Sequence, residues 1–299
     1  MKRLLLCLLT TALLAVPTAA PAENILATLE DALQSTDAVQ PGLERYQATV
    51  NTERIAATIS SMTAAMPPEM PRPQIPSVTK YWRRGTAQSL IIAEGMQSSP
   101  FMQQMVQRIS SSLSIEPAEL LLPPGKQAER QRLAGQGTVR STATDLPDRI
   151  LRRVEISFAT PAEVDQAFYG NGLRLPQKGI ARLQFDIDVK TRTVRELTVQ
   201  TATGEQLLAE FRYRQASGGY LPERVRVTSP DGKIDDLLEI TFAEVSGFLL
   251  PAKTLRILNR PDIKDTLEVT FSNYRVNHPF PDEVETRFAT PANPAGKTP

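Results

Sequence analysis

Histidine, cysteine and tryptophan are nearly missing from this chain, whose 299 residues hold one of each. A protein-built zinc site draws three or four ligands largely from His and Cys, so none can be assembled here. A Ser-His-Asp hydrolase would have to use His278, beside Pro279, and the sequence has no Gly-x-Ser-x-Gly elbow. An excess of either charge is also missing. Thirty-four Lys+Arg face 33 Asp+Glu, which removes the basic footprint of a general nucleic-acid binder. No apolar run is long enough to span a bilayer as a helix. The remaining places for chemistry are weak. Asp186-x-Asp188 lies on the polar side of an alternating strand and Asp235-Asp236 sits beside a turn, so both read as solvated carboxylates. Ser229-Pro230-Asp231-Gly232-Lys233 lacks phosphate-loop spacing and reads as a hairpin turn. We expect no catalysis, no metal and no cofactor.

What is present begins with a leader. Lys2-Arg3, the apolar run from Leu4 to Val16 and Ala20-Pro21-Ala22 follow the order of a secretory signal peptide, so residues 1–22 are expected to be removed. Their loss takes two basic residues, leaving 32 against 33 acidic ones, and takes Cys7. Cys7 lies inside the hydrophobic run, not at the cleavage site where lipidation requires it. The expected mature protein is soluble, exported and free of disulfides, which suits a bacterial periplasm.

The mature chain opens with an amphipathic helix over residues 22–37, carrying Ile25, Leu26, Leu29 and Leu33 on one face. Alternation then predicts a strand through Tyr46, Ala48 and Val50, continued by Ile55, Ala57 and Ile59. A proline-rich insertion, 66–76, follows, and a strand pair, 79–84 and 87–94, turns at Gly85. Ser99-Pro100 starts a helix that sets Phe101, Met102, Met105, Val106 and Ile109 on one broad face, adaptable because methionine is flexible. Residues 123–147 turn polar and are expected to be a loop. Beyond them come a strand at 151–158, a short helix at 161–169, and seven short strands between Ile180 and Asn277 joined by tight turns.

The predicted fold is mainly β: about eleven antiparallel strands, too large a sheet to stay flat, with one consistently apolar face and few helices to cover it. In phase on that face are Phe185, Ile187, Val199, Phe211, Tyr213, Val227, Ile240, Phe242, Val269 and Phe271. They are the candidate lining of an apolar concavity, with the helix from Phe101 to Ile109 as its lid. The competing expectation is a concavity filled by the chain's own side chains.

The stretch Phe271-Ser272-Asn273-Tyr274-Arg275-Val276-Asn277, with Phe280 soon after, resembles the last strand of the periplasmic outer-membrane lipoprotein carriers, the LolA-like group. The order of leader, amphipathic helix, Tyr46–Val50 strand, central helices and long meander resembles it too. The resemblance implies an unclosed, strongly curved half-barrel with helices over a cavity for acyl chains. It implies lipids or a lipid-modified protein as partners, and a membrane-associated donor or acceptor. Arg54 and Arg83 are the candidates for the arginine with which such carriers latch their lid. The chain is then read as one half-barrel domain over residues 23–285, monomeric, with a disordered tail at 286–299. Its function would be a soluble periplasmic carrier or receptor for acyl chains, lipids or a lipoprotein. The alternative is a non-catalytic interaction or envelope-sensing module.

Overall fold

The computed structural model describes residues 29–30, 32–34, 38–64, 76–86, 89–93, 113, 115–146 and 148–289. The leader, most of the N-terminal helix, nearly all of the proline-rich insertion and the whole Phe101–Ile109 face lie outside them.

The described strands are β1 Arg45–Asn51, β2 Val78–Arg83, β3 Leu90–Ala93, β4 Gly137–Leu146, β5 Arg149–Ala162 and β6 Ile180–Asp188. After them come β7 Thr193–Thr201, β8 Gln206–Ala216, β9 Gly219–Thr228, β10 Asp235–Val245, β11 Phe248–Asn259 and β12 Lys264–Val276. They form a single antiparallel sheet in the order β3-β2-β1-β12-β11-β10-β9-β8-β7-β6-β5-β4. The sheet is an open half-barrel, since β3 and β4 are edges that do not pair with each other. Register shifts interrupt the ladder, among them Gln47/Thr49 in β1 and Thr241/Phe242 in β10. Such bulges increase local twist and help so many strands curl. Three helices are described: α1 Glu53–Ala64, α2 Gln127–Gly135 and α3 Asp282–Ala289.

The meander follows the predicted alternation because its turns supply the needed backbone. The clearest is Gly218, at φ +74°, where an added Cβ would lie 1.9 Å from the carbonyl oxygen of Ala38. A glycine is required there on both counts.

Several expectations are corrected. Ile55 and Ala57 do not continue a strand; Thr52 Oγ1 accepts from Arg54 N at 3.4 Å, and α1 begins at Glu53. Residues 123–147 are not a loop but contain α2 and the edge strand β4. That strand exposes most of its side chains, so it has no apolar alternation to read. It brings the strand count from the predicted eleven to twelve. Residues 161–169 are not helical: β5 runs to Ala162, and Asp165 and Gln166 take positive φ (37° and 60°). The first residues of the predicted tail belong to α3, where Phe288 stacks on Phe280 at 5.7 Å.

Candidate functional site

Nine of the ten predicted concave residues are buried, and Tyr213 is partly buried. Phe185, Ile187, Val199, Phe211, Val227, Ile240 and Phe242 belong to one apolar cluster with residues of the covering segments; Val269 and Phe271 belong to a second with Ala48, Val50, Ile55 and Leu113. The shared face is therefore as the alternation placed it. It is covered by Leu29–Gln34, by the segment from Ile115 through α2, and by the loop between β5 and β6, whose Phe168 ring meets Phe185 at 6.2 Å.

Polar side chains tie this cover down. Gln34 accepts from Tyr220 N at 2.9 Å and donates to Tyr220 O, while Gln40 does the same with Leu249. Each amide thus stands in for a strand neighbour. Arg130, in α2, donates to Pro123 O at 3.1 Å and to Ala167 O at 3.0 Å, joining two parts of the cover.

One mainly apolar space of about 70 Å³ lies beneath the cover, bounded by Leu33, Val39, Leu122, Val194, Tyr213 and Leu221 together with Gln34 and Arg192. A larger cleft of about 740 Å³ lies where β1 gives way to α1 beside β12. Its walls mix Val50, Ile55 and Leu267 with Asn51, Glu53, Arg54 and Glu268, so it lacks the apolar character of an acyl seat.

One charged cluster on the apolar face is absent from the predicted set. Lys80 stands opposite Ala48 in the β1–β2 ladder, in phase with Val78 and Trp82, and is fully buried. Its Nζ lies 2.9 Å from Glu116 Oε2 and 3.0 Å from Ile115 O, over the rings of Phe271 (5.3 Å) and Tyr46 (5.8 Å). Tyr46 also donates its hydroxyl to Glu116. Burial, then the Glu116 carboxylate, pushes the Tyr46 hydroxyl far up. Glu119, one turn on, has a buried Oε1 with no hydrogen-bond partner among the described residues. Burial first, and Glu116 second, hold its carboxyl well above the usual range, against the pull of Lys80. The signal for Lys80 was legible: a lysine at an apolar position of an alternating strand. Arg256 is similar, in phase with Thr254 and Leu258 on β11, and burial lowers it to about 10.

The candidate latch arginines are engaged elsewhere. Arg54 forks onto Asp265 and Thr266 O of β12; Arg83 reaches Glu285 at 3.2 Å and Phe288 O at 3.4 Å on α3. Three of the four carboxylates read as solvated are buried in pairs: Asp186 with Arg153 at 2.7 Å, Asp188 with Arg195 at 3.2 Å, and Asp236 with Arg260 and Asn259 N; Asp235 stays at the surface, paired with Arg226 at 2.7 Å. Among the described residues no group of three potential metal ligands gathers, and no helix is long and apolar enough to cross a membrane.

No family model and no curated protein matches the chain. Solved structures similar to it include an outer-membrane lipoprotein-sorting protein domain from Vibrio parahaemolyticus, at 8% identity and TM-score 0.33, over 90% of this chain and all of that one. A DUF1329 family protein from Desulfovibrio piger is similar at 10% identity and TM-score 0.35, over 88% of this chain and 95% of that one. A LolA superfamily protein from Nitrosomonas europaea is similar at 9% identity and TM-score 0.28, over 89% and 97% of the two chains. Likeness at this level says nothing of ligand or partner.

Proposed function

We propose that this chain is a non-catalytic, exported receptor or carrier that takes an acyl chain, or the lipid of a modified protein, between its sheet and its covering segments. The described conformation is the closed form. The observation that carries the reading is the apolar remainder beneath the cover. At about 70 Å³ it falls far below the ~300 Å³ of small-molecule pockets, so a ligand must displace part of the cover. The displacement is within reach of a long chain. Ten buried methylenes contribute about 8 kcal/mol, whereas exposing the buried Leu33 costs roughly 1.5–3 kcal/mol and the already half-buried Leu121 and Leu122 less. A ligand with one or two long chains can therefore open the cover, and a short one cannot. The leader-like order of residues 1–22 supports a periplasmic setting for this activity, with the mature protein as a soluble monomer.

The second reading is an interaction module with a permanently filled half-barrel. The paired amide bonds of Gln34 and Gln40, which fasten the cover to the sheet, favour it. Native mass spectrometry and a fluorescent fatty-acid probe decide between the two. Lipid-sized adducts and probe uptake that grows with chain length support the receptor. A bare mature mass with no uptake at any chain length leaves the interaction module.

A further inference from the structure

Four large apolar side chains are exposed among the described residues: Leu146, Ile150, Val189 and Ile263. Two of them meet at one place. Ile150 stands opposite Asp145 near the end of the β4–β5 hairpin, and Val189 N donates to Ile150 O at 3.1 Å from the adjoining β6–β7 turn. Leu146 stands opposite Arg149, the neighbour of Ile150 in β5, and so lies on the other face of the hairpin. Val154 and Ile187 are buried on the concave face, and Ile150 and Val189 continue those two rows outward, with Arg152 between Val154 and Ile150. The concave apolar surface thus does not stop at the cover but emerges as an apolar lip.

Charge around the lip is one-sided. Asp148 is paired with Arg149 at 3.0 Å, and Asp186 and Asp188 are taken by Arg153 and Arg195. Arg152 and Lys190 have no carboxylate within ion-pair distance among the described residues, against the single acid Asp145. Apolar side chains at a tip, ringed by unpaired cations, suit the interface of an anionic bilayer: the apolar groups enter the headgroup region and the cations remain at its surface.

We propose that the lip formed by Ile150 and Val189 docks on an anionic phospholipid surface, which sets the outer end of the concave face against the lipid. The proposal deepens the receptor reading and rests on it for its purpose, not for its test. The mature protein is cosedimented with vesicles of phosphatidylethanolamine and phosphatidylglycerol, and with vesicles of phosphatidylcholine alone. Binding to the first is expected, weakening with added salt. Ile150→Asp with Val189→Asp should lower the partition coefficient at least about tenfold. Arg152→Ala with Lys190→Ala should lower it severalfold and flatten the salt dependence. Both pairs are at exposed or half-buried positions, and an unchanged urea midpoint confirms that the variants fold. No binding by the wild type, equal binding to both vesicle types, or binding that the variants leave unchanged overturns the proposal. So does a wild type that ignores both vesicles while the lip variants lose a crosslinked protein neighbour, which assigns the surface to a protein. Probe uptake measured on the same variants separates the two ideas: vesicle binding lost with uptake retained leaves the cavity intact, and vesicle binding without uptake leaves the lip without the acyl reading.

Discussion

Replacing Glu116 by leucine should be among the most damaging changes of a single carboxylate in this protein. The side chain accepts from Lys80 Nζ at 2.9 Å and from the Tyr46 hydroxyl, inside an apolar face. Its removal leaves Lys80 fully buried with the Ile115 carbonyl at 3.0 Å and the ring faces of Phe271 and Tyr46 for company. Breaking a buried pair from one side costs about 3–5 kcal/mol, because the surviving charge stays desolvated. The Tyr46 hydroxyl loses its acceptor as well, a further ~1–3 kcal/mol, unless water reaches it. Against the ~5–15 kcal/mol that holds a typical domain, the variant should be marginal. The informative step is to remove the remaining polar groups in turn. Lys80→Met added to Glu116→Leu should recover most of the loss, and Tyr46→Phe added to both should bring stability near the wild type or above it, since well-packed apolar replacements of buried ion pairs are often neutral or stabilising. Urea midpoints at pH 7, with slopes checked for constancy, read the series. A Glu116→Leu cost below about 1 kcal/mol, or a double variant no better than the single, would refute the claim that this pair is buried and coupled.

Two further changes test other parts of the same face. The Glu119 carboxyl is raised in the folded state, so its protonated form supports the fold below the unfolded value near ~4.3 and that support is lost as pH rises through the folded value. Glu119→Gln should therefore gain stability over the wild type at neutral pH, with the gain vanishing in acid; thermal melts across pH check this, and a pH-independent difference contradicts it. Phe185→Ala should lose about 3–5 kcal/mol, because Phe185 is fully buried in the main apolar cluster with its ring against Phe168, and denaturant midpoints showing a much smaller loss would mean that the closed packing is not what the solution holds.

The sheet was readable because β6 to β12 largely alternate and most of their turns carry a glycine (Gly204, Gly218, Gly232 and Gly247), so the phase of Phe185, Phe211, Phe242 and Phe271 followed from spacing. What escaped has definite physical causes. β4 carries Arg140, Ser141, Thr142, Thr144 and Asp145 because an edge strand exposed on both faces needs no apolar row. α1 was read as strand because Ile55, Ala57 and Ile59 satisfy a period of two as well as a short stretch of helix, and Thr52 as a cap was overlooked. Asp186 and Asp188 were placed correctly on the polar side of β6, yet arginines folded over them remove them from water. That depends on neighbouring strands, which a local pattern does not contain. The cover was least legible of all, because Gln34, Gln40 and Arg130 act through backbone groups brought near only by the folded sheet and its covering segments.

The stretch that carries the family resemblance has a structural explanation that is independent of any ligand. Phe271 packs beneath the sheet, and Tyr274 meets Tyr46 edge-on at 5.6 Å while donating to Pro251 O. Asn273 takes φ +53° at the register shift between β12 and β1, and its amide reaches Thr49 Oγ1 at 3.3 Å. Asn277 accepts from Glu44 N and Arg45 N and donates to Gly42 O, which fixes the start of β1 against the end of β12. The joint matters because β1 and β12 are far apart in sequence, yet their pairing attaches β1–β3 to the meander. A motif with this duty identifies a way of building an open half-barrel. Apart from Phe271, which lies under Lys80, it reaches little of the concave side, where Lys80, Glu116 and the covering segments make their contacts. Function has to be sought in those residues and in the uncovered lip at Ile150 and Val189, since the same joint serves equally a sheet that opens for a lipid and one that never does.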